Sequence, residues 1–175
     1  VTLELGGKSP QIVFADADLP RALPFLVNAG IQNAGQTCSA SSRILVHESL
    51  HDEVARQMAE CYRALTVGPA IGDPSVGPLI SDRQRQIVQG FIKGAEADGL
   101  KPSAEGALLA DAPSGGHYQR PTLYAGVDPQ LSIARDEIFG PVQVIVPFRD
   151  EAEAVAIANG TDYGLVAGVW TRDGG

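Results

Sequence analysis

Asn33-Ala34-Gly35-Gln36-Thr37-Cys38-Ser39-Ala40 is a stretch of small and polar residues set between two patterned runs. Ahead of it, Asp18 can cap a helix running toward Asn33, with Pro20 in the first turn. Pro24 sits badly in a helix interior, so the helix is expected to start near Pro24 or to kink there. Behind the stretch, Arg43 to Val46 reads as a strand, and Gln11 to Ala15, upstream of the helix, reads as another. Strand, helix, loop and strand in this order open an α/β layer fold with a largely parallel sheet flanked by helices.

The same alternation continues outward in both directions. Val1 to Leu5 alternates like a short strand and is ended by Gly6-Gly7. Ser49-Leu50-His51-Asp52 reads as a capping box, with Ser49 capping and Asp52 reaching back. The helix it opens carries Val54, Met58, Cys61 and Leu65 on one face, which predicts a buried Cys61. A further helix is expected from Ser81 toward Ala97, with Ile87, Val88, Phe91, Ile92 and Ala95 as its apolar stripe and Gly99 as its stop. Thr122 to Tyr124 and the β-branched run Val142 to Pro147 read as strands. Asp150 and Glu153 form another capping box, for a helix ending at Gly160, and Gly164 to Thr171 reads as the last strand.

Composition narrows the function classes. The chain has 175 residues, which suits one domain with a real core. A net charge of −8 argues against nucleic acid or an anionic membrane as partner, since both call for a basic patch. No apolar run is long enough to span a bilayer, and Val1-Thr2-Leu3-Glu4-Leu5 has neither the basic nor the apolar region of a signal peptide. Two cysteines, Cys38 and Cys61, do not make a disulfide framework, so a cytoplasmic setting is expected. The absence of an initiating Met and an opening inside a strand-like run suggest a piece of a longer protein.

Two residues stand out chemically. Cys38 lies in a loop among small residues, where backbone N–H groups can stabilise a thiolate and a carbonyl substrate can reach the sulfur. A small buried hydrophobe is the plainer reading of a single cysteine. Glu4 ends an apolar strand ahead of two glycines, a position suited to a general base, although many strands end in an acidic residue.

Taken together, these residues carry a resemblance. Glu4-Leu5-Gly6-Gly7-Lys8-Ser9-Pro10, with Cys38 following 34 residues after Glu4 inside Gly35-Gln36-Thr37-Cys38, resembles the aldehyde dehydrogenase superfamily. Asp136-Glu137-Ile138-Phe139-Gly140-Pro141-Val142 is similar to a further signature of that family. Ala158-Asn159, Tyr163-Gly164-Leu165 and Val169-Trp170-Thr171 are similar to its last helix and strand.

The resemblance implies the following. Cys38 is the nucleophile that forms a thiohemiacetal and then, after hydride transfer to NAD or NADP, a thioester. Glu4 is the base that activates the hydrolytic water. The Cys38 backbone N–H is one arm of the oxyanion hole, the other being an asparagine outside these residues. Glu137 holds the nicotinamide ribose hydroxyls, Phe139 packs near that ring, and the Leu5 main chain contacts the carboxamide. Lys8 and Arg43 take structural roles. Residues 1–6 are then the last strand of a dinucleotide-binding domain that is otherwise missing, and residues 7–175 are a catalytic domain truncated at its C-terminal end. The parent is expected to be a homo-oligomer acting on a small aldehyde, and this chain alone is expected to be inactive and to bind the cofactor weakly or not at all. Asp136 departs from the glutamate often found there, a conservative change. A CoA-acylating semialdehyde dehydrogenase is the alternative, disfavoured by Glu4. A non-enzymatic binding relative is disfavoured by the presence of both Cys38 and Glu4.

One competing motif is present. His47-Glu48-Ser49-Leu50-His51 fits H-E-x-x-H, a zinc metalloprotease signature that requires both histidines on one helical face. A helix starting near Ser49 leaves His47 at a strand end, and no metal is expected. No G-x-G-x-x-G and no P-loop occurs, so the phosphates of a cofactor have no cradle here.

Overall fold

The computed structural model describes residues 1–174; Gly175, the last residue of the expected catalytic segment, lies outside them. Its elements in chain order are β1 (Pro10–Val13), α1 (Leu19–Ile31), β2 (Arg43–His47), α2 (Glu48–Ala64), β3 (Thr66–Val67), α3 (Asp82–Ala97), β4 (Ala104–Glu105), β5 (Ala107–Leu108), β6 (Thr122–Ala125), α4 (Ser132–Arg135), β7 (Val142–Phe148), α5 (Glu151–Ala158) and β8 (Gly168–Trp170). The main sheet has the order β4-β6-β7-β2-β1-β8. Every pairing in it is parallel except that of the short edge strand β4 with β6. The expected α/β fold with a largely parallel sheet flanked by helices is therefore the observed one.

The central strands explain themselves. Val142, Val144, Ile145 and Val146 of β7 and Ile44, Leu45 and Val46 of β2 are all essentially inaccessible. Strands covered on both faces read as continuous β-branched runs rather than as alternation. Pro147, which cannot donate to a ladder, falls at the exposed end of β7. Helices α1 and α2 pack on each other, and α2 lies along β2 and β7. The α2 stripe is Val54, Met58, Ala59 and Tyr62, all buried.

Several expectations need correction. Residues 1–6 form no strand: Val1, Leu3 and Leu5 are exposed, and Gly7 makes only an isolated parallel bridge to Gly164. A strand needs a neighbour to take its backbone groups, and none of the described residues lies alongside Val1–Leu5. Helix α1 starts at Leu19, not near Pro24, and runs through that proline; Asp18 caps it, its carboxylate accepting from Arg21 N at 3.4 Å. The buried face of Leu19, Ala22, Leu23, Leu26 and Val27 outweighs one missing backbone bond. Helix α2 starts earlier than the expected capping box. His47 is its cap, Nδ1 accepting from Ser49 N at 3.3 Å, and Asp52 turns to His51 at 2.9 Å. Cys61 is exposed, because Tyr62, one helical turn beyond Met58, takes the core position. Ile87 is also exposed, and α3 buries only Val88 and Ala95. Among the described residues no helix is long and apolar enough to cross a membrane.

Candidate active site

The parallel strands begin where the sequence motifs lie. Gly7 precedes β1, Cys38 precedes β2, residues 136–140 precede β7, and Gly164 precedes β8. Strand order therefore brings four segments, distant in sequence, to the amino ends of neighbouring strands.

Gly7 is where they cross. Its N–H donates to Glu137 Oε1 at 3.0 Å. A Cβ on Gly7 would overlap the carbonyl oxygen of Cys38, so only glycine lets the two backbones meet. Its bridge to Gly164 adds the fourth motif. A similar approach occurs at Gly35, where φ is +72° and a Cβ would overlap the Gly140 carbonyl. The Cys38 loop is thus packed backbone to backbone against both the 4–10 segment and the 136–142 segment.

The loop itself is strained. After α1 the chain makes a tight turn over Gln32–Gly35, in which Asn33 and Ala34 have φ of 51° and 56°. Left-handed geometry is uncommon for residues with a Cβ and gathers at functional sites. Asn33 and Gln36 bond reciprocally through their side chains, each at 3.0 Å from the other's carbonyl oxygen. The turn 37–40 is closed by Ala40 N donating to Thr37 O at 3.0 Å, and it leaves Cys38 half-buried with a free thiol.

Phe139 is the other left-handed residue of the site, with φ of 55°, and its ring is partly exposed. Gln84 on α3, which the sequence did not single out, holds this loop: Nε2 donates to the carbonyls of Ile138 at 3.1 Å and Phe139 at 2.9 Å. Phe139, Asn33, Gln36, Ile80 and Tyr118 line an open cleft of about 640 Å³. Leu5 and Glu4 are exposed at the free end of the chain. Of the expected site residues, the structure joins Cys38 and Glu137 at Gly7, sets Phe139 on the cleft, and leaves Glu4 and Leu5 on the outer segment.

Two buried cations support the crossing. Arg43 donates from Nε to Lys8 O at 2.8 Å, from Nη1 to Ile157 O at 2.9 Å and from Nη2 to Ala158 O at 2.9 Å. It ties the 4–10 segment to the carboxyl end of α5, where its charge meets the helix dipole. Lys8 is buried, and its Nζ has no hydrogen-bond partner. Burial first, and the Arg43 charge second, push its amine down to about 7, against the pull of Asp136 and Glu137.

His47 and His51 do not share a helical face as a zinc pair would. His47 caps the helix with its ring on Ser49, and His51 bonds Asp52.

The sequence profile of the aldehyde dehydrogenase family matches residues 1–175. The chain belongs to the aldehyde dehydrogenase family. It is 42% identical over 179 residues to the 3,6-anhydro-alpha-L-galactose dehydrogenase of Streptomyces coelicolor, covering 99% of this chain and 36% of that enzyme. A solved structure of a Burkholderia cenocepacia protein assigned as an aldehyde dehydrogenase superposes with a TM-score of 0.97 at 54% identity, over 99% of this chain and 36% of that one. A cysteine-to-alanine mutant of aldehyde dehydrogenase C from Pseudomonas syringae, solved with NAD+ and octanal, superposes with a TM-score of 0.89 at 39% identity, over 97% and 35% of the two chains. The chain thus spans about a third of the length of the aldehyde dehydrogenases it matches. Membership supports oxidoreductase chemistry on aldehydes.

Proposed function

We propose that these residues are the catalytic-domain part of an NAD(P)-dependent aldehyde dehydrogenase that oxidises an aldehyde to a carboxylate. The observation that carries this reading is the crossing at Gly7, which brings Cys38 and Glu137 onto one point of the fold. The Cys38 thiolate attacks the aldehyde carbon, forming a C–S bond and moving the carbonyl electron pair to oxygen, where the Cys38 N–H can stabilise it. A nicotinamide cofactor, when bound, would supply the acceptor for the hydride on this carbon, with Glu137 and Phe139 as the residues that would hold it. Glu4 takes a proton from water as the water attacks the resulting thioester, and the C–S bond breaks to return the thiolate.

The residues present fit one end of the cofactor only. Glu137 offers a carboxylate for two ribose hydroxyls, and Phe139 offers a partly exposed ring beside the open cleft. The aldehyde dehydrogenase relative solved with NAD+ supports this cofactor class. Phosphate contacts must come from chain outside these residues, so this segment alone is inactive and binds cofactor weakly or not at all. Two unpaired cysteines suit a cytoplasmic setting, and the parent is expected to assemble with copies of itself.

The test is a single turnover by the full-length protein that carries this segment. Glu4→Gln should form the thioester and stall, and peptide mapping should find the acyl mass on Cys38. Acyl mass on Cys61, or steady oxidation by Cys38→Ala, would overturn the assignment. Turnover of Glu4→Gln restored by coenzyme A would favour the CoA-acylating alternative instead.

A further inference from the structure

A polar residue interrupts the most apolar strand of the molecule. Gln143 on β7 is fully buried, between Val142 and Val144. Its Nε2 donates to Leu26 O at 2.9 Å and to Ser41 O at 2.6 Å. Carbonyls only accept, so the amide nitrogen must face these two and the amide oxygen must face the other way. There Oε1 accepts from Tyr62 Oη at 2.6 Å. Burial pushes the Tyr62 phenol far above its usual range, so it keeps this proton.

The two carbonyls are informative by position. Leu26 lies inside α1, five residues before the end of the helix that leads into the strained turn and Cys38. Ser41 stands on the other side of Cys38, just before β2. One amide therefore joins the helix that leads into the loop carrying the thiol to the residue by which the chain leaves it. Space for it exists because α1 has Gly30 at the crossing, where a Cβ would overlap the Gln143 amide carbon and nitrogen. Ser41 is held two further ways. Its N–H donates to Ala29 O at 2.9 Å, and its Oγ accepts from Gln11 Nε2 at 2.8 Å. Gln11 in turn is oriented by Trp170 Nε1 at 3.0 Å.

We propose that Gln143 is a positioning residue for the Cys38 nucleophile, acting through Leu26 and Ser41 with Gly30 and Tyr62 as its supports. This rests on the reading of Cys38 as the nucleophile. A buried amide with all its donors used has a single satisfied orientation, and losing it releases both ends of a strained loop together. Cys38 then samples positions from which attack is slow, while Glu137 keeps its own bond to Gly7 and the Phe139 carbonyl its bond to Gln84.

The experiment uses the full-length protein. Gln143→Leu should lower kcat and the acylation burst by about tenfold or more, with KM for NAD+ changed by less than about twofold. Cys61 serves as an internal reference, because it is exposed. The iodoacetamide labelling rate of Cys38 relative to Cys61 should fall in step with kcat. Val54→Ala, a core cavity elsewhere on α2, should leave that ratio and kcat as they were. Gly30→Ala should reproduce the Gln143→Leu loss, and the double variant should be no worse than either one, because both remove the same contact. Tyr62→Phe, which removes one hydroxyl, should show a smaller loss and covers the case in which Gln143→Leu does not fold. Parental kcat and labelling ratio in Gln143→Leu or Gly30→Ala, or additive losses in the double variant, would refute the proposal. Full activity of Cys38→Ser would instead sink the nucleophile reading beneath it. An inactive Cys38→Ser beside unaffected Gln143→Leu and Gly30→Ala would sink the clamp alone.

Discussion

At the amino ends of the parallel strands lie Gly7, Cys38, the 136–140 loop and Gly164, while at the carboxyl ends lie Phe14, Asp16, His47, Arg149 and Thr171. Open α/β sheets generally bind ligands at the carboxyl ends, and a cleft of about 810 Å³ is found there in this chain. Its polar groups, however, are spent on one another. Asp16 accepts from Thr171 Oγ1 at 3.0 Å and from Arg172 N at 2.8 Å, and Arg149 pairs with Glu153 at 2.9 Å. The amino end is built differently. It has left-handed backbone at Asn33, Ala34 and Phe139, a half-buried thiol, and the unpartnered Lys8 Nζ and Ser9 Oγ. Backbone strain and a half-buried thiol thus set the amino end, where the proposed site lies, apart from the carboxyl end.

The sharpest way to break this contrast is a pair of variants in the full-length protein. Cys38→Ala should lower aldehyde oxidation on the order of 10⁴-fold, and Asp16→Asn should leave kcat within about twofold. Comparable losses from both would show that the carboxyl end takes part in chemistry.

Next in size is Gly7→Ala. The added methyl meets the Cys38 carbonyl, so the crossing must open. A fall in kcat on the order of 10²-fold, with a lowered Tm, is expected. An unchanged burst rate would show that the four motifs need not touch.

Lys8 gives a pH signature. Its folded pKa is lowered from 10.5 to about 7, so between those values the unfolded chain binds the extra proton. Stability therefore rises as pH climbs from about 7 toward 10, and the cost of burying the charged amine is fully present below about 7. Lys8→Met should raise Tm most at and below neutral pH and converge with the parent near pH 10, a difference of a few kcal/mol at most. Parallel Tm curves for the two proteins across that range would contradict it.

The smallest effect is at the carboxyl end. The Arg172 backbone N–H, with help from Thr171 Oγ1, holds the Asp16 carboxyl below its usual 3.8. Its contribution is present above that value and is lost as pH falls beneath it. Asp16→Asn and the parent should therefore differ in Tm at neutral pH and merge in acid.

Much of this was legible beforehand, for identifiable reasons. Strands β2, β6 and β7 and helices α3 and α5 follow from their hydrophobic runs, and Asp150 caps as expected, accepting from Glu153 N at 2.9 Å, while Ser81 proves to cap α3 at 3.2 Å. Cys61 was misjudged because a helical stripe read one residue off still looks regular; only packing chose Tyr62. The α2 start was misjudged because a histidine ring nitrogen can accept the bond that Ser49 was expected to take. Val1–Leu5 has the pattern of a strand, but pattern cannot supply the neighbour a strand requires. In the candidate site, the motifs point to Cys38, Glu137 and Phe139, but not to the Gly7 crossing that joins the first two. Gln84 left no trace among the polar residues of an exposed helix. Gln143 left one: an amide inside a β-branched run.

Gly7 also sets when the site can exist. Its partner Glu137 lies 130 residues away, and Gly164 farther still. Such distant contacts close late in folding, after the entropy of long loops has been overcome. On a ribosome adding about 5–20 residues per second, Cys38 would wait on the order of ten seconds before Gly164 is made. Until then the Cys38 loop lacks the backbone neighbours that hold it in the finished fold.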